Sequence, residues 1–536
     1  MRGHKTWTWA HGVLSALMLL GLLWWATDRP LPQRSADPPK RFTLPQGAAL
    51  LPDLPFTDTP LYQAYRARQL AQPQGLNQSP VYPVTSAHDG FAARVYLIRT
   101  AQRQLDLQYY IWNDDVVGRL LLLELQQAAR RGVRVRLLLD DNNTRGLDGY
   151  LSALSRQPNF EVRLFNPFMH RQWRLLDYLH RFQHQQKRMH NKVLVADQAV
   201  LITGGRNVGD SYFRPMPDAQ SFTDLDVIAA GGPAVQAARF FEQYWHGPDS
   251  YPVRDVFRPD GRDEAEALQQ LARSPRLPES KRFLEALQKT PLVQDLLDGR
   301  LQWIWAPAEF MSDLPDKLYR NIRPEDTIPG MIAAELRTPS RQLDLVSAYF
   351  IPTEAQVQQL VQMARRGVRI RVLTNSLAST DVPLVHAFYL KKRRTLLQAG
   401  IRLFEYSEND PLPSFGVKGS RGNTLTSDAS LHAKVFSWDQ QNVFVGSFNY
   451  DPRSLYHNTE CGLLVRAPQM AREIDRLMDG QLRSRAYEVK LDAHGQLYWV
   501  DQTRTPTRIW HQEPRASLLD RALVRLAGGL PIEPYL

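Results

Sequence analysis

The sequence has almost no cysteine: Cys461 is the only one in 536 residues. An internal disulfide is therefore excluded, and so is a zinc cluster built on cysteine thiolates. The sequence also lacks carboxylates or histidines at the intervals typical of metal-binding motifs. We therefore expect its chemistry to need no metal and no other cofactor.

Long apolar runs are also scarce. The run from Gly12 to Ala26 is short for a bilayer span, but pairs of tryptophans flank it, as in membrane-interface belts. A cleaved signal peptide is the alternative, but the segment offers no small-x-small cleavage site. The sequence thus predicts an uncleaved anchor within residues 1–30. Arg2 and Lys5 favour the N-terminal end inside and the bulk of the chain outside.

Positive charge is in modest excess. Lysine and arginine number 66 against 55 acidic residues, which gives a net charge of +11. This balance favours an anionic partner, but it does not distinguish nucleic acid from anionic lipid or a phosphorylated substrate. Hydrophobic residues make up 43% of the chain, which is ordinary for a globular protein with a substantial core.

What the sequence does contain is an internal repeat. RQLDLQYYIW from Arg103 matches RQLDLVSAYF from Arg341, and ARRGVRVRLLLD from Ala129 matches ARRGVRIRVLTN from Ala364. The matches keep the same order at a spacing of roughly 240 residues, which indicates two structurally equivalent halves.

Each half has a β-α-β pattern, in which an apolar strand is followed by an amphipathic helix and a second apolar strand. Right-handed crossovers of this kind predict an α/β fold with mixed, largely parallel sheets flanked by helices, and with the halves related by a pseudo-twofold axis. The predicted domains are an anchor at 1–30, a proline-rich linker and lead-in at 31–85, the first half at 86–250, a helical connecting segment at 251–330, the second half at 331–485 and a C-terminal extension at 486–536.

The most informative pattern is a motif that occurs once in each half. MHNKVLVAD ends at Asp197 and LHAKVFSWD ends at Asp439, so both contain H-x-K-x-x-x-x-D. We expect the histidine and lysine of each copy to share one strand and to project from the same face. A single copy would fit a plain surface strand, but two copies at equivalent points of a repeat favour a shared function.

Two such copies suit chemistry at one phosphate. One imidazole can attack phosphorus while the other protonates the leaving alkoxide. The two lysines then stabilise negative charge on the phosphoryl oxygens, without a metal.

The chain resembles the phospholipase D superfamily, whose signature is this paired motif. MHNKVLVADQAVLITGGRN and LHAKVFSWDQQNVFVGSFN match its extended form, and VGSFNYDPRSLYHNTECGLLV and LPIEPYL resemble the C-type bacterial cardiolipin synthases. The resemblance implies a transphosphatidylase that makes cardiolipin from phosphatidylglycerol and a second phosphatidylglycerol or phosphatidylethanolamine. It also implies a phosphatidyl-histidine intermediate and a place at the bacterial inner membrane.

Site residues follow from the resemblance position by position. His190 matches the nucleophile and His432 the general acid, each with the rest of its motif. Glu460 and Asp224 match acids that hold the imidazole of the other half, although Asp226 on the same strand is an alternative. The implied catalytic residues are therefore His190, Lys192, Asp197, His432, Lys434, Asp439, Glu460 and Asp224. The substrate-binding candidates are Asn207, Asn449, Ser447, Lys418 and Arg421, and Gly205 stands where the second half has Ser447.

Three segments keep two interpretations. The apolar stripe from Phe165 to Leu179 can contact lipid or pack on the sheet. The glycine-rich loop with Lys418 and Arg421 can bind a headgroup or be a solvated loop. The amphipathic C-terminal segment can contact membrane or dock on the second half.

The expected partners are phospholipid substrates and a membrane, with no nucleic acid, and the need for an accessory protein is left open. Phospholipid hydrolysis is the nearest alternative function, because it shares the intermediate and uses water as the acceptor. A nuclease of the same superfamily also suits a basic protein, but the predicted anchor argues against it. A non-catalytic scaffold is disfavoured by the two intact motifs.

Overall fold

The fold places two related sheets side by side in one chain. A computed structural model describes residues 56–533, except for 73–76, 172, 214–220, 258–260, 289, 291, 293, 296–299, 320–322, 337–338, 408–428, 481–484 and 504. The predicted anchor, most of the linker, Lys418 and Arg421 lie outside the described residues. No helix in the described part is long and apolar enough to cross a bilayer.

The strands run in chain order from β1 to β23. Those up to residue 252 are β1 Ser79–Val84, β2 Gln104–Ile111, β3 Arg134–Asn143, β4 Phe160–Phe165, β5 Arg188–Met189, β6 Lys192–Ala196, β7 Val200–Gly204, β8 Ser221–Thr223, β9 Asp226–Ala230 and β10 Ser250–Pro252. The others are β11 Ile304–Ala306, β12 Ala308–Ser312, β13 Gln342–Ser347, β14 Arg369–Asn375, β15 Arg402–Tyr406, β16 Ala429–Leu431, β17 Lys434–Trp438, β18 Asn442–Gly446, β19 Asn458–Thr459, β20 Cys461–Val465, β21 Ala486–Leu491, β22 Leu497–Asp501 and β23 Arg508–Trp510.

The α-helices with described bounds are also numbered in chain order. They are α1 Pro60–Leu70, α2 Ala87–Thr100, α3 Val116–Arg130, α4 Asp148–Ser155, α5 Arg174–Gln185, α6 Asp210–Phe213, α7 Gly232–Trp245, α8 Val253–Val256, α9 Gly261–Arg273, α10 Pro278–Leu287, α11 Ile328–Glu335, α12 Glu354–Arg365, α13 Pro383–Gln398, α14 Pro452–Tyr456, α15 Pro468–Asp479 and α16 Leu518–Ala527.

The two large sheets have the same internal strand order. The first runs β10-β4-β3-β2-β6-β7-β9-β1-β11, and the second runs β12-β20-β18-β17-β13-β14-β15-β21-β22-β23. The block β4-β3-β2-β6-β7-β9 therefore corresponds to β15-β14-β13-β17-β18-β20. This correspondence confirms the two equivalent halves that the repeat predicts.

The sheets are mixed, but antiparallel pairings outnumber parallel ones, so "largely parallel" is too strong. Within the two large sheets, parallel pairing is confined to β2-β3-β4 and β13-β14-β15, where helices provide the crossovers. The motif strands β6 and β17 instead pair antiparallel with β2 and β13 and turn tightly into β7 and β18. Such tight hairpin turns allow only antiparallel neighbours.

The helices that make these crossovers form where the sequence predicts them. Asp115 caps α3 by accepting a hydrogen bond from the backbone N–H of Gly118, and Thr353 forms a capping box at α12. Gly132 and Gly367 follow the two helices with positive φ angles of 94° and 90°, the conformation that ends a helix at least cost for glycine. The leucine-rich side of α3 is buried against the first sheet.

The two halves share a core. Apolar side chains of β6, β7 and β9 pack in one cluster with those of β17, β18 and β20, among them Val193, Val195, Leu201, Val435, Val445 and Leu463. Burying a side chain of this kind contributes about 1.5–3 kcal/mol. Lys192 lies opposite Tyr109 and Lys434 opposite Ser347, so both motifs begin at the carboxyl-end edge of the parallel strands.

Candidate active site

The histidine of each motif lies just outside the strand that carries its lysine. His190 follows the two-residue strand β5 and precedes β6, and His432 stands in the same position between β16 and β17. The prediction that histidine and lysine share one strand is therefore wrong. The chain leaves the large sheet at this point because it pairs with the other half instead.

Two small parallel pairings join the halves at the histidines. β5 pairs with β19 of the second half, and β16 pairs with β8 of the first half. The backbone N–H of His190 donates to the carbonyl of Thr459 at 2.9 Å, and that of His432 donates to the carbonyl of Thr223 at 2.8 Å. The residue after each of these threonines is an acid.

The acids reach the histidines across the interface between the halves. His190 Nδ1 lies 2.8 Å from Glu460 Oε2, and His432 Nδ1 lies 2.6 Å from Asp224 Oδ2. Both carboxylate groups are buried, as are the imidazoles. A carboxylate at Nδ1 makes that nitrogen the donor, so the lone pair of the neutral imidazole lies on Nε2.

Asp226 takes no part in this arrangement. Its carboxylate accepts from Arg94 Nη1 at 2.8 Å and lies 3.3 Å from Arg206 Nη1, which makes it a buried ion pair of the first half. Of the two candidates on this stretch, Asp224 is the one that contacts an imidazole.

The two lysines are buried beside the histidines. Lys192 Nζ donates to the backbone carbonyl of His190 at 2.7 Å, and Lys434 Nζ donates to the carbonyl of His432. Burial lowers the pKa of Lys192 to about 7, with the Lys434 ammonium adding to the effect and Glu460 opposing it. Burial also lowers the pKa of Lys434. Two desolvated ammonium groups at one place form a site for an anion.

Both imidazoles are held towards their neutral forms. Burial, followed by the charges of Lys192 and Lys434, places the pKa of His190 well below its ordinary value. Burial and Lys434 lower the pKa of His432 to about 4, although the hydrogen bond to Asp224 opposes this shift.

The two carboxylates differ in their electrostatics. Burial raises the pKa of Glu460 to about 7, despite the opposing charge of Lys192. Burial acts in the same direction on Asp224, but the hydrogen bond and charge of His432, with Lys434 and Arg206, outweigh it and lower the pKa of Asp224.

One contribution to this difference comes from a position in the turn after each motif. Arg206 stands in the first half where Phe448 stands in the second. The Arg206 guanidinium donates to the backbone carbonyl of Asp224 at 2.7 Å, which places a positive charge beside that acid. Sequence reasoning did not single out Arg206, although its alignment with Phe448 in the repeat was visible.

The residue before Arg206 or Phe448 in each turn differs in size with the acid beside it: Ser447 lies beside the longer Glu460, and Gly205 lies beside the shorter Asp224. Ser447 Oγ donates to Glu460 Oε2 at 2.5 Å, so the structure places Ser447 behind the acid. A Cβ on Gly205 would lie 2.1 Å from Asp224 Oδ1. The shorter aspartate therefore occupies the space that a side chain at Gly205 would need.

Gly205→Ala is accordingly expected to lower turnover about 10- to 100-fold, by analogy with the loss of a carboxylate that orients a metal-bound imidazole. The new methyl group must displace the Asp224 carboxylate from His432. Turnover should be measured beside the thermal midpoint, with Gly261→Ala as control, because a Cβ there meets nothing within 4 Å. Wild-type turnover in the folded Gly205→Ala protein would contradict the expectation.

The two asparagines lie at equivalent positions but have different partners. Asn207 Nδ2 donates to Tyr212 Oη at 2.9 Å, and its Oδ1 accepts from the backbone N–H of Ile111 at 3.2 Å. Asn449 is buried, and its Oδ1 has no hydrogen-bond partner among the described residues. The pair is therefore not equally available to a ligand.

Asp197 and Asp439 are not brought to the histidines. Asp197 lies at the far end of β6, about 16 Å along the strand from Lys192. Its carboxylate accepts from the backbone N–H groups of Gln102, Arg103 and Gln104, and Asp439 does the same for residues 340–342. Both begin turns with two positive φ angles, a conformation that aspartate tolerates. Their positions indicate a structural role.

Several groups at the site were missed at the sequence level. The ring of Tyr110 stands edge-on to His190 with centroids 4.8 Å apart, and that of Tyr212 stands 5.2 Å from His432. Asp313, in the connecting segment, accepts from the backbone N–H of Glu460 at 2.9 Å. These residues fall outside the repeated motif, so its spacing gave no signal for them.

Comparisons with known proteins identify chains to which this one is similar. A family model described as "Cardiolipin synthase, PLD-like domain" matches residues 95–245 and again residues 332–482. Cardiolipin synthase C of Escherichia coli (strain K12) is 41% identical over 456 residues, covering 85% of this chain and 96% of that protein. An uncharacterized protein of Helicobacter pylori (strain ATCC 700392 / 26695) is 34% identical over 432 residues, covering 78% and 82% of the two chains.

One solved structure shares the architecture. The phosphatidylserine synthase of Haemophilus influenzae Rd KW20 superposes with a TM-score of 0.53 at 13% identity, covering 88% of this chain and all of the other. At this identity the similarity shows the fold.

Proposed function

We propose that this chain, which belongs to the cardiolipin synthase family of phospholipase D-like proteins, transfers a phosphatidyl group from one phospholipid to a hydroxyl group of another. Phosphatidylglycerol, with a second phosphatidylglycerol or with phosphatidylethanolamine, gives cardiolipin in this reaction. The observation that carries the proposal is the crossed pairing of His190 with Glu460 and of His432 with Asp224. Each half supplies the acid that orients the histidine of the other, so the reactive centre needs both halves.

In the first step His190 attacks the phosphorus of the donor lipid. Nε2 forms the P–N bond, and the P–O bond to the headgroup breaks. His432 gives its proton to the departing alkoxide, so the headgroup leaves as an alcohol. The product is a phosphatidyl group on His190.

In the second step the acceptor lipid takes the place of the released headgroup. His432, now neutral, removes the proton of the acceptor hydroxyl, whose oxygen attacks phosphorus. The P–N bond breaks and His190 is regenerated. Microscopic reversibility requires the same histidine to serve as acid and then as base.

The unequal carboxylates support these role assignments. Asp224 has a lowered pKa and stays ionised, so it favours a proton on His432. Glu460 has a raised pKa of about 7 and stabilises an imidazolium less, so His190 remains a neutral nucleophile. Bound phosphate adds a negative charge between the lysines, which raises the pKa of His432 from its value in the empty site.

Lys192 and Lys434 neutralise the phosphoryl oxygens while charge develops on them. Asn449 and Asn207 are the further candidates for contact with these oxygens. Preorganised cations in a buried site are effective because no solvent reorganises during the reaction.

The test is purified protein in detergent with labelled phosphatidylglycerol and product analysis by mass spectrometry. Cardiolipin with release of glycerol is the expected result. Phosphatidic acid as the sole product would make the protein a hydrolase, and no lipid turnover would overturn the proposal. Repeating the assay with phosphatidylethanolamine in place of one phosphatidylglycerol identifies the donor and the acceptor from the headgroup alcohol that is released.

Activity is expected to persist in excess chelator at matched ionic strength. The lysines already supply positive charge at phosphorus, and Glu460 and Asp224 are held by imidazoles. Among the described residues, His386, Glu405 and Glu513 do come close together, but Arg393 bridges the two glutamates. Complete loss of activity that one specific metal restores at micromolar concentration would contradict this expectation.

The family supports a membrane-associated bacterial protein. We propose the inner membrane as its location, with residues 1–30 as the anchor and the catalytic part on the periplasmic side. The side of the membrane can be tested by replacing the exposed Leu70 with cysteine and treating intact cells with a thiol reagent that does not cross the inner membrane. Labelling of residue 70 is expected if the catalytic part is periplasmic.

A further inference from the structure

Helix α5 presents an apolar surface to solvent. Trp173, which precedes the helix, and Leu175, Leu179 and Phe182 on it are between 44% and 72% exposed. The apolar stripe of the sequence is thus divided: Phe165 and Phe168 are buried, the residues at 176 and 178 are half-buried, and Trp173 and Leu179 are exposed. We call these four exposed residues the α5 face.

Helix α16 has a second surface of the same kind. Val524 is buried and packs with Val385, Ala387 and Phe388, which docks the helix on the second half. The opposite side is apolar as well, and its members are 45% to 80% exposed: Leu518, Leu519, Leu523, Leu526 and Leu530. We call this set the α16 face, in which residues 519, 523 and 526 follow the helical repeat and Leu530 lies just beyond the end of the helix at Ala527.

The α5 face belongs to a helix that starts from the edge where the histidines lie, and the α16 face packs against another such helix, α13. α5 follows the carboxyl end of β4, and Tyr178 on it donates to Asn142, which contacts Tyr110 beside His190. α13 follows the carboxyl end of β14, where Asn375 donates to the carbonyl of Leu431, the residue before His432. The end of α16 lies against the first turns of α13, since a Cβ on Gly528 would be 3.5 Å from the carbonyl of Ala387.

The charges near these faces are mainly basic. Asp177, the one acid in α5, is buried and accepts from backbone N–H groups. Arg521 and Arg525 lie on α16 and Arg515 shortly precedes it, while Asp520 on that helix is bound to Ser517 in the capping box. The whole chain carries +11. An apolar helix face bordered by arginine is the pattern of a helix that lies in the interface of an anionic bilayer.

We propose that the α5 and α16 faces insert into the surface of an anionic phospholipid bilayer, one at each half, and hold the catalytic edge against it. A lipid can then bring its phosphate to the buried lysines while its acyl chains stay in the bilayer. The inference rests on the proposed function for the direction of lipid entry, but the insertion itself does not require turnover.

The experiment uses the full chain, because its one native cysteine, Cys461, is buried. Single cysteines replace Leu179 and Leu526, and Leu70→Cys on α1 is the matched control, since Leu70 and Leu179 are 67% and 68% exposed. Each protein carries an environment-sensitive fluorophore and is reconstituted into vesicles with or without an anionic phospholipid. Spin-labelled lipids then quench any probe that enters the bilayer, whether or not residues 1–30 also anchor the chain.

The expected result is a blue shift and strong quenching at positions 179 and 526 in anionic vesicles, with little at position 70. Arg521→Gln/Arg525→Gln should weaken quenching at position 526 several-fold. Quenching at 179 and 526 no greater than at 70 would overturn the proposal. A blue shift that grows with protein concentration in the absence of vesicles would also overturn it, because it would identify a second copy of the chain as the occupant. Since no reading depends on catalysis, a failed transferase assay remains a separate result.

Discussion

Replacing His432 by asparagine is expected to lower turnover about 10²- to 10⁴-fold, the usual contribution of a general acid and base. The headgroup alkoxide then leaves without its proton, and no base activates the acceptor. His190 keeps its hydrogen bond to Glu460, so it can still attack phosphorus slowly. Phosphatidyl groups should therefore accumulate on His190 in this variant.

His190→Asn is the matched variant, and it should be inactive without forming any adduct. After incubation with labelled phospholipid, peptide mass spectrometry should find the acid-labile modification on residue 190 of the His432→Asn protein alone. Equal labelling of the two variants, each at its remaining histidine, would show that the roles are not divided as proposed. Labelling only at residue 432 would reverse them.

The main features of the fold could be predicted from the sequence because the duplication is visible in short, local sequence patterns. Two β-α-β units with recurring RQLDL and ARRGV segments indicate two equal halves, and the strand orders agree. The balance of parallel and antiparallel pairing was harder to predict. It depends on which strand β6 pairs with. The antiparallel pairing of β6 with β2 is decided by the packing of the whole sheet and not by local sequence.

The candidate site could be inferred from the sequence as far as the internal repeat extends. His190, His432 and both lysines come from the motif, and aligning the halves was sufficient to favour Asp224 over Asp226. The motif aspartates show the limit of this reasoning: H-x-K-x-x-x-x-D repeats as a unit, yet Asp197 stabilises a turn one strand length from His190. A repeated pattern indicates that its residues matter in both halves, but it does not distinguish residues that take part in the reaction from residues that stabilise the fold.

The contacts of Arg206 and Asp313 had no such signal. Arg206 replaces a phenylalanine of the other half, and Asp313 comes from a segment that we expected only to connect the halves. Their influence on Asp224 and Glu460 depends on tertiary proximity. The two halves are thus alike in backbone and unlike in charge, which supports the proposal that the two motifs perform different steps.

Lys192→Ala should raise the barrier by about 3 kcal/mol, a loss of 10²- to 10³-fold in kcat/KM, by analogy with the removal of one preorganised oxyanion donor. We expect a large loss because the Lys192 side chain is already desolvated and held beside His190 when the substrate arrives. Lys490→Ala, at a half-exposed lysine of β21, is the control and should retain wild-type turnover.

The pH profile separates charge from simple packing at Lys192. Its pKa of about 7 in the empty site means that it is charged below that pH and neutral above it. Therefore kcat/KM, which reports the free enzyme, should fall as pH rises through about 7. At saturation, bound phosphate favours the charged form, so kcat should hold to higher pH. Lys192→Arg should shift the alkaline fall upward, because a guanidinium does not titrate in this range. An unchanged alkaline fall in Lys192→Arg would assign the titration to another group, and a loss below tenfold in Lys192→Ala would remove Lys192 from the stabilisation of the transition state.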